Sequence, residues 1–332
     1  MPFPRISIII PVYNVESYIA DCLQSVMRQT YKYPLECILV DDCGSDKSMT
    51  IAEQLIANYD GPIEFRVLHH VHNRGLSAAR NTGTDAATGD YVYYLDSDDY
   101  ISDDCLEVLS QPLCERDYDV VLGDLEMFGN PRDIVFLPKE TGAIIGNETI
   151  FKEIYVNRMI YVMAWNKLVK RSLFQKKDLT FLEGQLHEDE LWTYKLAISA
   201  ESMFVQHKTT YYYRIRENGI MASFGKNAKK RLSSCYDTMD YVLRHPAPVS
   251  KECYDSCVVY YFGVYLRTIY GDLDFRDDYI KLRRRFEYHP LRLFVRGKLS
   301  LVELKHGFHF ALPPFLGYQY LVLRRRKNQS IR

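Results

Sequence analysis

Apolar segments alternate with amphipathic ones over the first hundred residues of the chain. Four short apolar runs have the composition of buried strands: residues 6–10, 36–40, 65–68 and 91–95. Three intervening segments are predicted helices, through apolar positions at helical spacing or a high alanine content: residues 16–29, 47–56 and 77–87. Alternating strands and helices predict an α/β fold with a doubly wound, mostly parallel sheet.

This regular alternation ends at about residue 105. Residues 118–122 predict one further strand, and the Gly- and Pro-containing residues 129–147 predict a loop or hairpin. From residue 228 onward the pattern is mainly helical and rich in tyrosine. The sequence therefore predicts a regular α/β first part and a helical last part.

Two of the predicted strands end in acidic side chains. Asp41 and Asp42 follow one strand, and the segment Asp96-Ser97-Asp98-Asp99 follows another. Doubly wound sheets bind ligands beyond the carboxyl ends of their strands, and carboxylate oxygens suit Mg²⁺ or Mn²⁺. We therefore predict a metal and a phosphorylated ligand at this edge, although an isolated D-x-D pattern fits a solvated turn equally well.

Glycine-rich nucleotide motifs are absent from the sequence. No G-x-G-x-x-G follows the first strand, and no G-x-x-x-x-G-K-[ST] occurs anywhere in the chain. This argues against a dinucleotide oxidoreductase and against a P-loop enzyme.

The charge is balanced overall but unevenly distributed. The 332 residues hold 42 Lys and Arg against 43 Asp and Glu, which argues against a general nucleic-acid binder. Residues 281–332, however, contain thirteen Lys and Arg and only Glu287 and Glu303 as acidic residues. Basic clusters beside Phe, Leu and Tyr are typical of anionic membrane surfaces, and a solvated helix with a disordered tail is the alternative.

The cysteine content and the apolar segments suggest a cytoplasmic protein. Eight cysteines without any C-x-x-C pair predict reduced thiols. We see no signal peptide and no apolar run of the roughly 20 residues that a spanning helix needs. The basic C-terminal end adds the prediction of peripheral attachment to the inner face of a membrane.

Four segments carry a family resemblance. They are SIIIPVYN at 7–14, LVDDCGSD at 39–46, NRGLSAARN at 73–81 and GDYVYYLDSDD at 89–99. In this order and spacing they resemble inverting glycosyltransferase family 2 of the bacterial surface-polysaccharide type, which has the GT-A nucleotide-diphospho-sugar transferase fold. The segments WNKLVKR at 165–171, HEDE at 187–190 and YYYR at 211–214 are similar to the acceptor half of that family. One departure is Cys43, which stands inside the usual Asp-Asp-Gly-Ser.

The resemblance implies a domain organisation. Residues 1–225 would form the catalytic domain, with a nucleotide-sugar half at 1–105 and an acceptor half at 106–225. Residues 226–332, where the resemblance fades, would form a helical, basic C-terminal extension.

The resemblance also implies roles for individual donor-site residues. The implied nucleotide-sugar contacts are Pro11, Tyr13, Glu16, Asp42, Arg80, Asp96 and Ser97. Pro11 and Tyr13 would lie along the base, and Asp42 would accept the N3–H of a uracil. Asp98, assisted by Asp96, would hold Mg²⁺ or Mn²⁺. Surface or salt-bridged placement is the alternative for Arg80, and a turn or helix cap is the alternative for Ser97 and Asp99.

The implied catalytic base is Asp189. An inverting transfer needs one general base for the acceptor hydroxyl, and Glu188 and Glu190 are the competing carboxylates. Without the family context, this segment would simply be a charged helix start. Trp165, Glu188 and Trp192 are the implied acceptor contacts, and a core position is the alternative for Trp165.

These implications together define a metal-assisted inverting transferase. It would move a sugar from a nucleotide-diphospho donor, expected to be UDP-linked, to a hydroxyl of a glycan or lipid-linked glycan in polysaccharide or lipopolysaccharide synthesis. The alternatives are a catalytically inactive nucleotide- or carbohydrate-binding subunit, a sugar-phosphate nucleotidyltransferase and a membrane-docked scaffold.

Overall fold

The chain divides into two compact units, Met1–Ala222 and Ser223–Arg332. We describe them from a computed structural model, which covers residues 3–128, 142–215, 228–269, 276–285 and 308–329 and the single positions 291, 295 and 304. Part of the predicted loop at 129–147 lies outside the described residues. Its last part instead contains a strand and the start of a helix.

The first four strands form the parallel half of the sheet. They are β1 (Ile6–Val12), β2 (Leu35–Asp41), β3 (Glu64–His69) and β4 (Tyr91–Tyr94), and they pair in the order β3-β2-β1-β4. Helices α1 (Ile19–Met27), α2 (Ser48–Ala57) and α3 (Leu76–Ala86) connect them. Every residue of the central strand β1 is buried, as its β-branched sequence predicts, whereas the ends of the edge strand β3 are exposed. The predicted α/β alternation is therefore confirmed for this half.

Strand β1 is longer than its sequence predicts, because it continues through Pro11. The register with β4 ends at Ile9, whereas the register with β2 runs on to Val12. Pro11 thus lies beyond the ladder with β4, where a missing N–H interrupts no hydrogen bond.

The second half of the sheet mixes strand directions. Its strands are β5 (Tyr100–Ile101), β6 (Val120–Phe128), β7 (Gly142–Ile145), β8 (Lys167–Lys170) and β9 (Ser202–Arg214). Strand β8 lies between β4 and β6 and is antiparallel to both, whereas β6 and β9 are parallel. Strands β5 and β7 are antiparallel to β9. Over the described residues the sheet has nine strands and is mixed, with four parallel and four antiparallel pairings.

Four helices accompany these strands. They are α4 (Cys105–Ser110), α5 (Asn147–Tyr155), α6 (Arg171–Lys177) and α7 (Glu188–Ser199). Helix α7 matters most for function, because its first turn carries the predicted base.

The described part of the second unit is helical, as predicted. It contains α8 (Ala228–Arg244), α9 (Lys251–Ile269), α10 (Arg276–Arg285), a 3-10 turn at Phe308–Ala311 and α11 (Pro314–Gln329). The Tyr279 hydroxyl lies 2.7 Å from His309 Nδ1 and so joins α10 to the 3-10 turn. A Cβ at Gly317 would lie 2.5 Å from the His309 carbonyl oxygen, so this glycine allows α11 to pack closely on the turn. Within the described residues, we find no helix that is both long and apolar enough to cross a membrane.

Candidate active site

The loops that follow β1 and β2 interlock at the carboxyl edge of the sheet. The Ser45 N–H donates to Asn14 Oδ1 at 2.8 Å, and the Glu16 N–H donates to Asp46 Oδ2 at 2.9 Å. Cys43 has a left-handed backbone (φ 59°), and its N–H donates to Asp41 Oδ1 at 3.0 Å. The sequence departure at Cys43 is therefore accommodated by a tight, hydrogen-bonded turn.

The predicted base-binding residues occupy different environments at this edge. The Tyr13 side chain is 49% exposed, and Glu16 is exposed as well, with one carboxylate oxygen accepting the Lys47 N–H. Pro11 is buried within β1. The Tyr13 side chain is therefore accessible to a ligand, whereas that of Pro11 is not.

The carboxylate of Asp42 is buried and accepts four hydrogen bonds from the protein. Its Oδ1 contacts His70 Nδ1 (2.7 Å) and the Arg74 N–H (2.8 Å), and its Oδ2 accepts from Asn73 Nδ2 (2.9 Å) and the Gly75 N–H (2.8 Å). A carboxylate has about four acceptor positions, so this set fills them. Asp42 thus organises residues 70–75, and the predicted contact with a uracil N3–H stays a prediction that requires one of these donors to move.

Three aspartates gather where β4 ends. Asp96, Asp98 and Asp99 each offer an oxygen, and these oxygens lie within 4.8 Å of one another. Asp96 and Asp98 are partly exposed, whereas Ser97 and Asp99 are buried. This hard-oxygen set fits a divalent cation such as Mg²⁺ or Mn²⁺, because such an ion relieves the repulsion among three carboxylates.

Asp99 belongs to the acidic cluster that the sequence predicts after β4, and it is not simply the turn or cap residue of the alternative. Its oxygens accept hydrogen bonds from the Tyr211 hydroxyl and the Arg214 N–H, both at 2.7 Å. Burial raises its pKa well above the ordinary value, and the charges of Asp98 and Asp96 raise it further. The contacts of Asp99 with Tyr211 and Arg214 were missed because β9 is more than one hundred residues away in the sequence.

Arg80 joins the aspartate cluster to the start of α7. Its side chain is 1% exposed and lies on α3. One terminal nitrogen donates to Asp96 Oδ1 (2.8 Å), and the other contacts Glu188 Oε1 (2.8 Å) and Asp189 Oδ1 (3.1 Å). Burial alone would lower its pKa, but the three carboxylates reverse that effect and raise it. The structure thus favours the salt-bridged alternative for Arg80, and direct contact with a nucleotide stays a prediction.

Asp189 lies in the first turn of α7 and is partly accessible. Its side chain is 20% exposed, while Glu188 beside it is buried. Burial raises the pKa of Asp189 to about 7; Arg80 opposes this shift, whereas Glu188 and Asp96 add to it. A carboxylate with a pKa near neutrality is suited to accept a proton.

Comparisons with known proteins identify the family of the chain. The sequence model described as "Glycosyl transferase family 2" matches residues 7–177, just over half of the chain. The chain belongs to glycosyltransferase family 2. The predicted resemblance to this family is therefore confirmed.

Two relatives come from Streptococcus pneumoniae serotype 4. The chain is 33% identical to glycosyltransferase GlyA over 225 residues, which cover 65% of this chain but only 31% of GlyA. It is 29% identical to glycosyltransferase GlyG over 225 residues, covering 65% of this chain and 72% of GlyG.

A solved structure of S. aureus TarS in complex with UDP-GlcNAc shares the fold. It superimposes with a TM-score of 0.67 at 22% identity and covers 95% of this chain and 92% of the TarS chain. This likeness supports the GT-A fold that the sequence predicts.

Lys167 is a buried residue of this glycosyltransferase that the sequence did not single out. It begins β8, its Nζ donates to the Met163 carbonyl oxygen, and the same nitrogen lies 3.6 Å from the centre of the Tyr161 ring. Burial lowers its pKa well below the ordinary value, and the charge of Asp189 opposes that shift. Lys167 thus lies in the electrostatic environment of Asp189.

The two tryptophans predicted as acceptor contacts are core residues. Trp192 is completely buried and stacks on Phe181 with ring centres 5.2 Å apart. Trp165 is also buried and stacks on Tyr211 at 4.3 Å. Both rings are buried and cannot contact an acceptor sugar from the surface. The prediction that Trp192 forms a wall of the acceptor site is therefore wrong, and Trp165 is a core residue, as the alternative for it predicted. Glu188 contacts Arg80 rather than an open surface.

Proposed function

We propose that this glycosyltransferase transfers a sugar with inversion from a UDP-sugar to a hydroxyl group of a growing surface glycan. The observation that carries the proposal is the position of Arg80. Its single guanidinium contacts both Asp96, in the aspartate cluster, and Asp189, the candidate base. A donor held by the cluster and an acceptor deprotonated by Asp189 would therefore meet in one site.

The proposed donor site lies at the carboxyl edge of β1, β2 and β4. Tyr13, with its exposed ring, would stack on the base, while Pro11, Glu16, Asp42 and Ser97 would surround the nucleoside. The preference for UDP is supported by TarS, whose solved complex contains UDP-GlcNAc. A GDP-mannose complex of a Pyrobaculum calidifontis mannosyltransferase, at a TM-score of 0.57, makes GDP the alternative to test.

The aspartate cluster is the proposed metal site. Asp96, Asp98 and Asp99 would hold Mg²⁺ or Mn²⁺, which when bound offsets the negative charge of the diphosphate. The mutual repulsion of the three carboxylates supports the assignment, because a divalent cation turns that repulsion into attraction.

Asp189 is the proposed general base. It would accept the proton of the acceptor hydroxyl while that oxygen bonds to the anomeric carbon. The bond between the anomeric carbon and the diphosphate oxygen breaks in the same displacement, so UDP leaves with its electron pair. No covalent sugar–enzyme intermediate forms, and the configuration at the anomeric carbon inverts. Arg80 and Lys167 oppose the rise in the pKa of Asp189 that burial causes.

The acceptor is proposed to be a glycan or a lipid-linked glycan, and the reaction is proposed to take place in the cytoplasm. The chain spans about a third of GlyA, so the activity of the longer relative is not transferred to it as a whole. Within the chain, we propose that residues 1–225 carry the reaction and that residues 226–332 contribute to localisation.

A thermal-shift panel of UDP-, GDP- and TDP-sugars with and without Mn²⁺ tests this proposal. A ligand at 100 times its dissociation constant stabilises the folded state by about 2.7 kcal/mol, which moves the melting temperature by several degrees. We expect one UDP-sugar to give a Mn²⁺-dependent shift that Asp98→Asn abolishes and Asp189→Asn retains.

The companion measurement is donor consumption in the presence of a glycan acceptor mixture. Asp189→Asn should lower turnover by about 10²- to 10⁴-fold, the usual contribution of a general base. Asp178→Asn is the matched control, because Asp178 is an exposed aspartate with a left-handed backbone that Asn also adopts. Loss of nucleotide binding in Asp189→Asn would refute its role as base, and pyrophosphate release would indicate a nucleotidyltransferase. Nucleotide binding without turnover in the wild type would favour the inactive subunit.

A further inference from the structure

Helix α11 presents an apolar face to solvent. The side chains of Phe315, Leu316 and Leu323 are 45%, 47% and 64% exposed. Leu316 and Leu323 are seven residues apart, which is close to two helical turns, so they lie on nearly the same line along the helix. Gln319 is the exposed polar residue between them. Single exposed apolar residues are ordinary, but apolar residues that are grouped on one face of a helix are typical of a binding surface.

The orientation of α11 within its unit fixes which face is exposed. Gly317 and Leu321 are buried on the opposite side. At Gly317 the helix approaches the His309 carbonyl oxygen and the Tyr279 hydroxyl so closely that a Cβ would collide with both. The buried face of α11 therefore packs on the 3-10 turn and α10. Phe315, Leu316 and Leu323 consequently cannot turn inward by rotation of the helix.

Basic residues accompany the apolar face. The sequence continues from Leu323 directly into Arg324-Arg325-Arg326-Lys327, and residues 308–329 contain no Asp or Glu. At the other end of the face, the Arg276 guanidinium carbon lies 4.8 Å from the centre of the Phe315 ring. Arg284 on α10 is exposed as well. An apolar stripe flanked by cationic residues is complementary to a surface with an apolar interior and an anionic boundary.

We propose that the exposed face of α11 docks on an anionic lipid bilayer, with the helix parallel to the membrane plane. Phe315, Leu316 and Leu323 would enter the boundary between headgroups and acyl chains, and the basic residues would contact anionic headgroups. A nucleic acid offers the negative charge but no apolar phase for these three side chains. Docking by α11 is independent of the sugar-transfer chemistry, so either proposal can fail without the other.

Sedimentation of the full chain with lipid vesicles tests this docking surface. We expect binding to vesicles containing about 30% phosphatidylglycerol and little binding to pure phosphatidylcholine vesicles. Binding should weaken strongly in about 1 M NaCl, where charges are screened beyond about 3 Å. Equal binding to both vesicle types, or binding that salt leaves unchanged, would overturn the role of the basic residues.

Two sets of variants separate the apolar from the basic contribution. The double change Leu316→Gln and Leu323→Gln should weaken vesicle binding by about tenfold or more, because two side chains no longer enter the apolar boundary. Replacing Arg324, Arg325, Arg326 and Lys327 by Gln should weaken binding to anionic vesicles by at least about tenfold as well. The control is Val71→Gln, which changes a side chain that is 96% exposed in the other unit and should leave vesicle binding unchanged.

Two further measurements distinguish a lost membrane contact from misfolding and from a change of oligomeric state. Circular dichroism and nucleotide-induced thermal shifts should be the same in the Leu316/Leu323 variant and the wild type, since both of these residues are exposed. Light scattering without lipid reports the oligomeric state. If the Leu316/Leu323 variant binds vesicles like the wild type, or if it instead dissociates a dimer, the membrane assignment is wrong.

Discussion

Buried acidic residues lie at both ends of the parallel half of the sheet, and the two ends differ in how the carboxylate charges are compensated. At the amino end, Glu36 on β2 is compensated by donors that come only from the protein. At the carboxyl end, the cluster of Asp96, Asp98 and Asp99 consists of carboxylates that face one another. The comparison separates a carboxylate that holds the fold together from carboxylates that are available to a ligand.

The negative charge of Glu36 is compensated by hydrogen bonds and an ion pair. One of its oxygens accepts hydrogen bonds from the Ser7 hydroxyl (2.6 Å), the Thr88 N–H (2.7 Å) and the Thr88 hydroxyl (2.8 Å). The other oxygen contacts Arg66 at 3.2 Å. Burial by itself raises the pKa of Glu36, but these hydrogen bonds outweigh burial, and the pKa lies below its ordinary value. The charged form is therefore the stable one in the folded protein.

At the carboxyl end of the sheet, burial and like charges outweigh the hydrogen bonds to the carboxylates. Burial and neighbouring carboxylates raise the pKa of Asp99 well above its ordinary value and that of Asp189 to about 7. Arg80 is the cation that joins Asp96 of the cluster to Asp189, but its one guanidinium faces three carboxylates, Asp96, Glu188 and Asp189. This under-compensation costs stability in the isolated protein and favours the binding of a cation or the acceptance of a proton, which is the arrangement expected of an active site.

Removal of Arg80 gives the largest stability effect that this comparison predicts. Arg80→Met should lower the free energy of unfolding by about 3–5 kcal/mol, because it leaves Asp96, Glu188 and Asp189 without their shared cation. Arg66→Met at the amino end should cost about 1 kcal/mol or less, since Arg66 is partly exposed and Glu36 keeps its other donors. Urea unfolding at pH 7 measures both values. Equal losses in the two variants would contradict the idea that the ends differ in compensation.

The amino-acid sequence predicted the aspartate cluster better than it predicted the ion pairs of Arg80. Strands β1, β2 and β4 and their acidic ends follow from local apolar patterns, so the aspartate cluster was predictable. The contact of Asp99 with Tyr211 on β9 was not. The link through Arg80 was not, because it joins residues 108 positions apart and a single arginine in the Ala-rich α3 carries no pairing signal. Strand β8 was also missed. Its four residues, Lys167 to Lys170, show no clear strand pattern, and its antiparallel insertion beside β4 is set by tertiary packing.

Replacement of Glu36 gives a smaller effect with a distinct pH dependence. Glu36→Gln should lower the free energy of unfolding by about 1–3 kcal/mol at pH 7, because hydrogen bonds to a charged acceptor are replaced by weaker ones. The folded pKa of Glu36 lies below its unfolded value of 4.5, so the stabilisation is present above that value and is lost as pH falls through the folded pKa.

Chemical unfolding of both proteins over a series of pH values measures this dependence. The difference between wild type and Glu36→Gln should shrink on acidification, while nucleotide binding at pH 7 stays unchanged. A difference that grows on acidification would show that Glu36 is not stabilised in its charged form.

The pH dependence of transfer gives the smallest effect and sharpens the comparison at the carboxyl end. Asp189 acts as a base only when ionised, and its pKa is about 7. At a fixed metal concentration, kcat/KM should therefore fall with decreasing pH, approaching about tenfold per pH unit well below 7, and should level off above 7. Glu188→Gln removes a negative charge that raises this pKa, so the midpoint of the profile should move to lower pH. Asp178→Asn, far more exposed, should leave the midpoint in place. The contrary outcome is a midpoint that is the same in Glu188→Gln and the wild type while Asp189→Asn still abolishes transfer. That result would mean that the neighbouring carboxylates do not set the pKa of the base.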